Sequence, residues 1–224
     1  MKLKVLSEQD CEQVRIWRND ALESLRTPFP LTLEQQNRFF HEVVCDRRAN
    51  ARYWGIWDEV EVQVLTEYIE NYNPAYGTGY PVNKYETARQ DSFIGMCGIE
   101  NIEWENKRGE ISIILNPEYH GKGYGEKAIE LLLEQGFMYM NLDNIYGECY
   151  ENNPAIEFWK KVIKKYSPDY EPIWLDCTKY YDGQYWDSLW FNIEKTDYLK
   201  ATKPIMGVVF DEYHEVKSNE QNNT

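Results

Sequence analysis

The segment most able to do chemistry is Asn116-Pro-Glu-Tyr-His-Gly-Lys-Gly-Tyr-Gly125, set between an apolar run and an amphipathic one. Gly121, Gly123 and Gly125 let a backbone come close to a ligand, and the first amides of a following helix would point at it. A pyrophosphate suits that arrangement. The segment matches neither a Walker loop nor the dinucleotide fingerprint, and by itself it also reads as a tight connection. A second stretch, NNPAIEFWKK, offers Asn152 ahead of an amphipathic helix, where asparagine is also an ordinary N-cap.

Several elements must position these residues. A strand at 2–6 precedes Ser7, an N-cap for a helix in which Val14, Trp17, Ala21 and Leu25 repeat at helical spacing before 27–30 interrupt it. Thr32 caps a second helix with Phe39, Phe40, Val43 and Val44 on its buried stripe, and a strand follows at 53–57. Residues 58–91 read as an insertion, in which Val60, Val62 and Val64 alternate like a strand before NYNPAYGTGYPVNKY reads as a long loop. Its two readings are an elaborated hairpin with a surface loop and, because of its tyrosines, a lid or substrate wall.

FIGMCGIENIEW and EISIIL form an antiparallel pair around a turn at 105–109. A helix from about 123 carries Ala128, Ile129, Leu132 and Leu133 as its stripe, with Gly136 near its end. A strand at 144–150, a helix at about 154–164 and strands near 173–178 and 185–194 complete the order. This succession predicts an α/β (α+β) fold with a mixed, mostly antiparallel central sheet and helices on both faces. The domain is expected to span 1–198, leaving 199–224 as an extension with a frayed, disordered end.

With these motifs in this order the sequence resembles the GNAT superfamily of acetyl-CoA-dependent N-acyltransferases, whose pyrophosphate loop reads Arg/Gln-x-x-Gly-x-Gly/Ala. His120-Gly-Lys-Gly-Tyr-Gly125 matches it except at the first position. The resemblance implies that His120, Gly121, Lys122, Gly123, Tyr124 and Gly125 hold the CoA pyrophosphate. It implies too that the backbone of Ile113, Ile114 and Leu115 binds the pantetheine arm. Asn152, Ala155 and Trp159 match the spacing of the family's Asn-x-x-Ala-x-x-x-Tyr helix, which puts Asn152 and Trp159 against CoA. RIWRND, YWGIWD, the FIGMCGIENIEWENKRGEISIIL strand pair and YYDGQYWDSLWFNIEK resemble the ribosomal-protein-N-terminal and small-amine branch. The resemblance covers roughly 2–57 and 92–198.

The activity it implies is transfer of an acetyl group from acetyl-CoA to a primary amine of a small molecule or aminated metabolite by direct attack on the thioester. Alternatives are protein N-terminal acetylation and a catalytically silent acetyl-CoA-binding module. An amine of pKa about 10.4 must lose a proton before it attacks, and a carboxylate can take it. Glu110, which shares a strand face with Ser112 and Ile114, is the first candidate, followed by Glu148 and Glu100. Each also reads as a solvated or salt-bridged carboxylate. The family commonly uses the helix tyrosine to protonate the departing thiolate, but Trp159 stands there and indole is not a usable acid. Tyr150, Tyr146 or solvent would supply the proton instead.

The chain has 224 residues, a formal charge of −14, 15% aromatic residues and five cysteines. The acidic balance argues against a nucleic-acid partner and favours a cationic acceptor. The odd, scattered cysteines suggest no zinc site and read as reduced thiols. MKLKVLSEQD has no apolar run and no stretch has membrane-spanning length, so a cytoplasmic protein without a membrane partner is expected. Trp186 and Trp190 would pack either in a homodimer or within one domain.

Overall fold

The computed structural model describes residues 1–73 and 78–202. The order is β1 Lys2–Lys4, α1 Glu8–Asn19, α2 Leu33–Phe39, β2 Arg52–Asn73, β3 Thr78–Glu103, β4 Arg108–Leu115, α3 Tyr124–Glu134, β5 Asn144–Tyr150, α4 Ile156–Tyr166, β6 Ile173–Tyr181, β7 Gln184–Glu194 and α5 Lys195–Thr202. Local chemistry starts the first two helices. Ser7 and Asp10 form a reciprocal capping box on α1, and Thr32 and Gln35 do the same on α2.

The described strands make one seven-stranded sheet ordered β1-β2-β3-β4-β5-β7-β6. All neighbours are antiparallel except β4 and β5. Helices cover both faces, as the patterning implies. On one face Ala128, Ile129, Leu132 and Leu133 of α3, all fully buried, join Trp159, Val162 and Ile163 of α4 in the main core. Each such Ile or Leu contributes about 1.5–3 kcal/mol of transfer free energy. On the other face Cys11 and Val14 of α1 pack with Met96 and Ile114, flanked by Phe39 and Phe40.

Three elements depart from the sequence reading. Helix α1 stops at Asn19 rather than continuing through Ala21 and Leu25. The Asn19 side chain binds both backbone groups of Leu31, at 2.9 Å each, and turns the chain into a strap over residues 20–31. Tertiary hydrogen bonds thus override an apolar repeat that would otherwise extend the helix.

The stretch expected as a long loop is instead mostly strand. Beyond Asp58 and Ser92, β2 and β3 stay paired to Asn73 and Thr78. In the antiparallel ladder alternate residues exchange backbone hydrogen bonds across the two strands, and this pairing outweighs the turn-rich composition. The tip at 74–77 lies outside the described residues, as do the tyrosine side chains between 66 and 84 on which the lid reading rests.

Finally, α5 was not anticipated and runs through residue 198, the expected end of the domain. Its Tyr198 is buried against Phe137 and Tyr166. The frayed end expected after it, including SNEQNNT, lies outside the described residues.

Candidate active site

The glycine segment opens with Asn116, whose Oδ1 accepts from the Glu118 amide at 3.0 Å and starts a short turn. His120 Nε2 then donates to the Leu115 carbonyl at 3.2 Å, folding the loop back on the end of β4. Gly121 and Gly123 have φ of 70° and 82°, a left-handed conformation that costs other residues about 1–2 kcal/mol. A Cβ at either would meet nothing within 4 Å, so open space lies beside both.

Helix α3 starts at Tyr124 with no side-chain cap, leaving first-turn amides without an intrahelical partner. Exposed Lys122 is next to them in the chain, its Nζ 5.8 Å from the Tyr119 ring. Tyr124 packs edge-on against the same ring. Gly125 serves packing: an added Cβ would lie 3.1 Å from the Phe158 ring of α4. Open left-handed glycines, free amides and a cation fit a pyrophosphate.

The pairing of β4 with β5 begins at Arg108 and Asn144 and ends at Glu110 and Tyr146. From there the two strands part. Burial follows the split: Glu110 and Ile111 are buried, whereas Ile113, Ile114 and Leu115 are only partly so. The β5-facing backbone of these three has no strand partner among the described residues. This slot suits an arm carrying amides, such as pantetheine, and it ends at the glycine loop.

The sheet face that carries α1 and α2 brings the proposed acids and bases together. Glu110 lies opposite Glu100 of β3 on one side and Tyr146 of β5 on the other. Glu148 and Tyr150 follow Tyr146 on the same face at two-residue steps of about 7 Å. Glu110 is 6% exposed and bound by Arg26 of the strap, with one guanidinium nitrogen 3.4 Å from Oε2. Asn101, left-handed at an irregularity in β3, donates to that oxygen at 2.8 Å.

Arg26 also stands 3.5 Å from Glu148, whose other oxygen accepts from Ser188 Oγ at 2.6 Å. Burial and the Glu148 carboxylate hold the Tyr150 phenol above its ordinary pKa, and Arg26 beside it opposes the shift. Glu100 accepts from the Tyr53 hydroxyl. Burial, helped by Glu110, raises its pKa against that hydrogen bond.

Three residues of this cluster escaped the sequence reading. Arg26 and Lys179 lie outside the stretches quoted above, and Asn101 lies within FIGMCGIENIEW without any feature that marks it as a site residue. Lys179, 4% exposed, donates to the Glu23 carbonyl of the strap and sits 4.8 Å over the Tyr150 ring. Burial lowers its pKa.

Asn152 lies at the same strap: its Nδ2 donates to the Glu23 carbonyl at 3.1 Å, and its Oδ1 is buried without a protein partner. Asn153, not Asn152, accepts from the Ala155 amide at the start of α4. Trp159 is buried, its ring 5.1 Å from that of Phe191. Beyond Tyr146 the face continues into a depression of about 450 Å³ lined by Asn106, Arg108, Asn144, Tyr146, Trp190 and Asn192. Trp190 stacks on Tyr146, and Trp186 Nε1 donates to the Tyr181 carbonyl at 3.4 Å. The buried thiols of Cys11 and Cys149 are pushed up to about 12, which keeps them un-ionised near neutral pH.

Residues 1–165 match the model of the acetyltransferase (GNAT) domain. The chain belongs to the GNAT acetyltransferase family. A GNAT enzyme is an acetyl-CoA-dependent acyltransferase, and the glycine loop and strand slot described above fit that co-substrate. The protein is 28% identical to an uncharacterized N-acetyltransferase, p20, of Bacillus licheniformis over 174 residues, 75% of this chain and 94% of the relative. It is 35% identical to spermidine N(1)-acetyltransferase of Escherichia coli over 69 residues, 30% of this chain and 37% of that one. Among solved structures, spermidine N-acetyltransferase from Vibrio cholerae in complex with CoA and spermine superposes with a TM-score of 0.64. That match covers 88% of this chain and 97% of the other at 19% identity, so it speaks to the fold. No described helix is long and apolar enough to cross a membrane.

Proposed function

We propose that this GNAT acetyltransferase acetylates a small polycationic amine of the polyamine type. The observation that carries the reading is the acidic, aromatic wall beside the β4–β5 slot. It consists of Glu100, Glu110 and Glu148 with Tyr53, Tyr146 and Tyr150. Carboxylates hold ammonium groups by charge-assisted hydrogen bonds, and ring faces add cation–π attraction. The relatives named for spermidine point the same way.

In this reading acetyl-CoA supplies the thioester, with its pyrophosphate on residues 120–125 and its arm along Ile113, Ile114 and Leu115. Without an acceptor Glu110 is held by Arg26 and Asn101, a cation-holding position that suits it to anchoring charge rather than moving protons. Glu148 is the more available carboxylate, and it takes the proton from the acceptor ammonium, directly or through water. The amine nitrogen then bonds to the acetyl carbon as the carbon–sulfur bond breaks, and the new amide loses its remaining extra proton to solvent, from which Tyr150 is later reprotonated. Tyr150, kept protonated by its raised pKa, gives its proton to the departing thiolate, a leaving group of pKa about 8.5. Trp159 contributes to the core rather than to proton transfer.

Thiol release from acetyl-CoA against spermidine, spermine, a monoamine, an aminoglycoside and an N-terminal peptide tests the proposal. Fastest release with the polyamines is expected. A peptide outperforming every polyamine would replace this reading with protein N-terminal acetylation.

A further inference from the structure

Arg26 reaches the carboxylates from a backbone that is tied down on both sides. Upstream, Asn152 and Lys179 bind the Glu23 carbonyl and Asn153 binds the Ser24 carbonyl at 3.1 Å. Downstream, Arg18 binds Thr27 and Phe29, while Asn19 and Arg15 bind Leu31. The Arg26 side chain itself is 49% exposed. Its backbone is therefore fixed, while its long stem and guanidinium can exchange with solvent. The head lies where a cationic acceptor would be held, between Glu110 and Glu148 and beside Tyr150.

We infer that Arg26 is a specificity-determining residue: its guanidinium is an internal occupant of the acceptor's cation site, which an acceptor must displace to bind. This rests on the proposed function above. Glu110 and Glu148 together carry two negative charges and Arg26 returns one, so the pair presents a net charge of −1 to an incoming amine. A monoamine cannot match the two carboxylates that Arg26 spans. An acceptor with a second ammonium can take over both contacts, so the displaced guanidinium filters acceptors by charge number.

The test compares 1,4-diaminobutane with n-butylamine, which share a carbon chain and differ by one charge. Arg26→Gln doubles the net negative charge of the pair. A screened, half-exposed interaction of roughly 1 kcal/mol corresponds to about a fivefold tighter Kd for the diamine, with a smaller gain for the monoamine. Arg26→Lys, which keeps the charge, should leave the diamine-to-monoamine ratio near that of the wild type.

Calorimetric binding in the presence of CoA reads occupancy without turnover, and the Kd for CoA serves as the control for folding. Equal or weaker diamine binding by Arg26→Gln, with CoA affinity intact, overturns the inference; so does an identical gain for both amines. If no amine is acetylated by the wild type but Arg26→Gln still tightens the diamine selectively, the proposed function falls and the Arg26 inference stands.

Discussion

The glycine loop makes a quantitative prediction because two of its glycines serve different physical ends. At Gly123 the φ of 82° disfavours ordinary side chains, yet the space around an added Cβ is empty. Gly123→Ala therefore carries only the left-handed penalty, about 1–2 kcal/mol. For a domain of this size that corresponds to a thermal midpoint lower by roughly 2–8 °C. At Gly125 the φ is ordinary, but a Cβ would press on the Phe158 ring at 3.1 and 3.3 Å, tighter than normal contact. Its cost is overpacking between α3 and α4, about 1–3 kcal/mol.

The two variants should separate in ligand binding although their stabilities are similar. Relief of strain in Gly123→Ala turns the first amides of α3 away from the pyrophosphate. The KM for acetyl-CoA should rise about tenfold, equivalent to some 1.4 kcal/mol, with the acceptor KM unchanged. Gly125→Ala should lower the melting temperature with a smaller effect on acetyl-CoA. Differential scanning calorimetry with and without CoA, followed by initial rates, reads both quantities. If Gly123→Ala melts like the wild type and keeps its acetyl-CoA KM, or raises the acceptor KM instead, the loop does not hold the co-substrate as described.

Further outcomes follow from the carboxylate wall and the core. Glu148→Gln should reduce kcat/KM for the amine by more than tenfold at pH 7 and by less at pH 9, because the free-amine fraction rises about a hundredfold over that range. Tyr150→Phe should lower kcat about tenfold without altering the KM for acetyl-CoA. Trp159→Phe should instead cost about 1–3 kcal/mol of stability and leave that KM within twofold, as melting curves and initial rates would show. Folding raises the pKa of Glu100, so its stabilising contribution is complete below the ordinary carboxyl pKa and is lost as pH rises through the folded value. The melting temperature of Glu100→Gln should accordingly gain on that of the wild type from pH 4 to pH 8.

The parts of this protein that follow local rules could be read from the sequence. Ser7 and Thr32 cap helices where side-chain chemistry says they should, and the stripe from Ala128 to Leu133 faces the main core. Strand alternation placed Glu110, Ser112 and Ile114 on one face, and Glu110 does lie on the face that carries α1 and α2. What the sequence did not reveal depends on contacts between distant residues. Arg26 meets Glu110 across 84 positions, and Lys179 meets Glu23 across 156. Arg26 lies in the irregular strap and Lys179 past a register shift in β6, so no local pattern announces either pairing. Asn101 binds Glu110 only because an irregularity in β3 turns it, and Lys179 follows a similar register shift in β6. The long hairpin is legible only in part for a related reason: Val60 reaches the main core, but the pairing of β2 with β3 beyond it is made across strands, and no local pattern in NYNPAYGTGYPVNKY announces it.

The most direct test of the central claim is a competition in one tube. Acetyl-CoA at a limiting concentration is given to the protein with equal concentrations of spermidine and a short peptide bearing a free α-amino group, and mass spectrometry identifies the acetylated product. Cation recognition by the wall of Glu100, Glu110 and Glu148 predicts that spermidine takes nearly all of the acetyl groups and that added salt erodes this preference. Acetyl groups found mainly on the peptide, or a spermidine preference indifferent to salt, would contradict it.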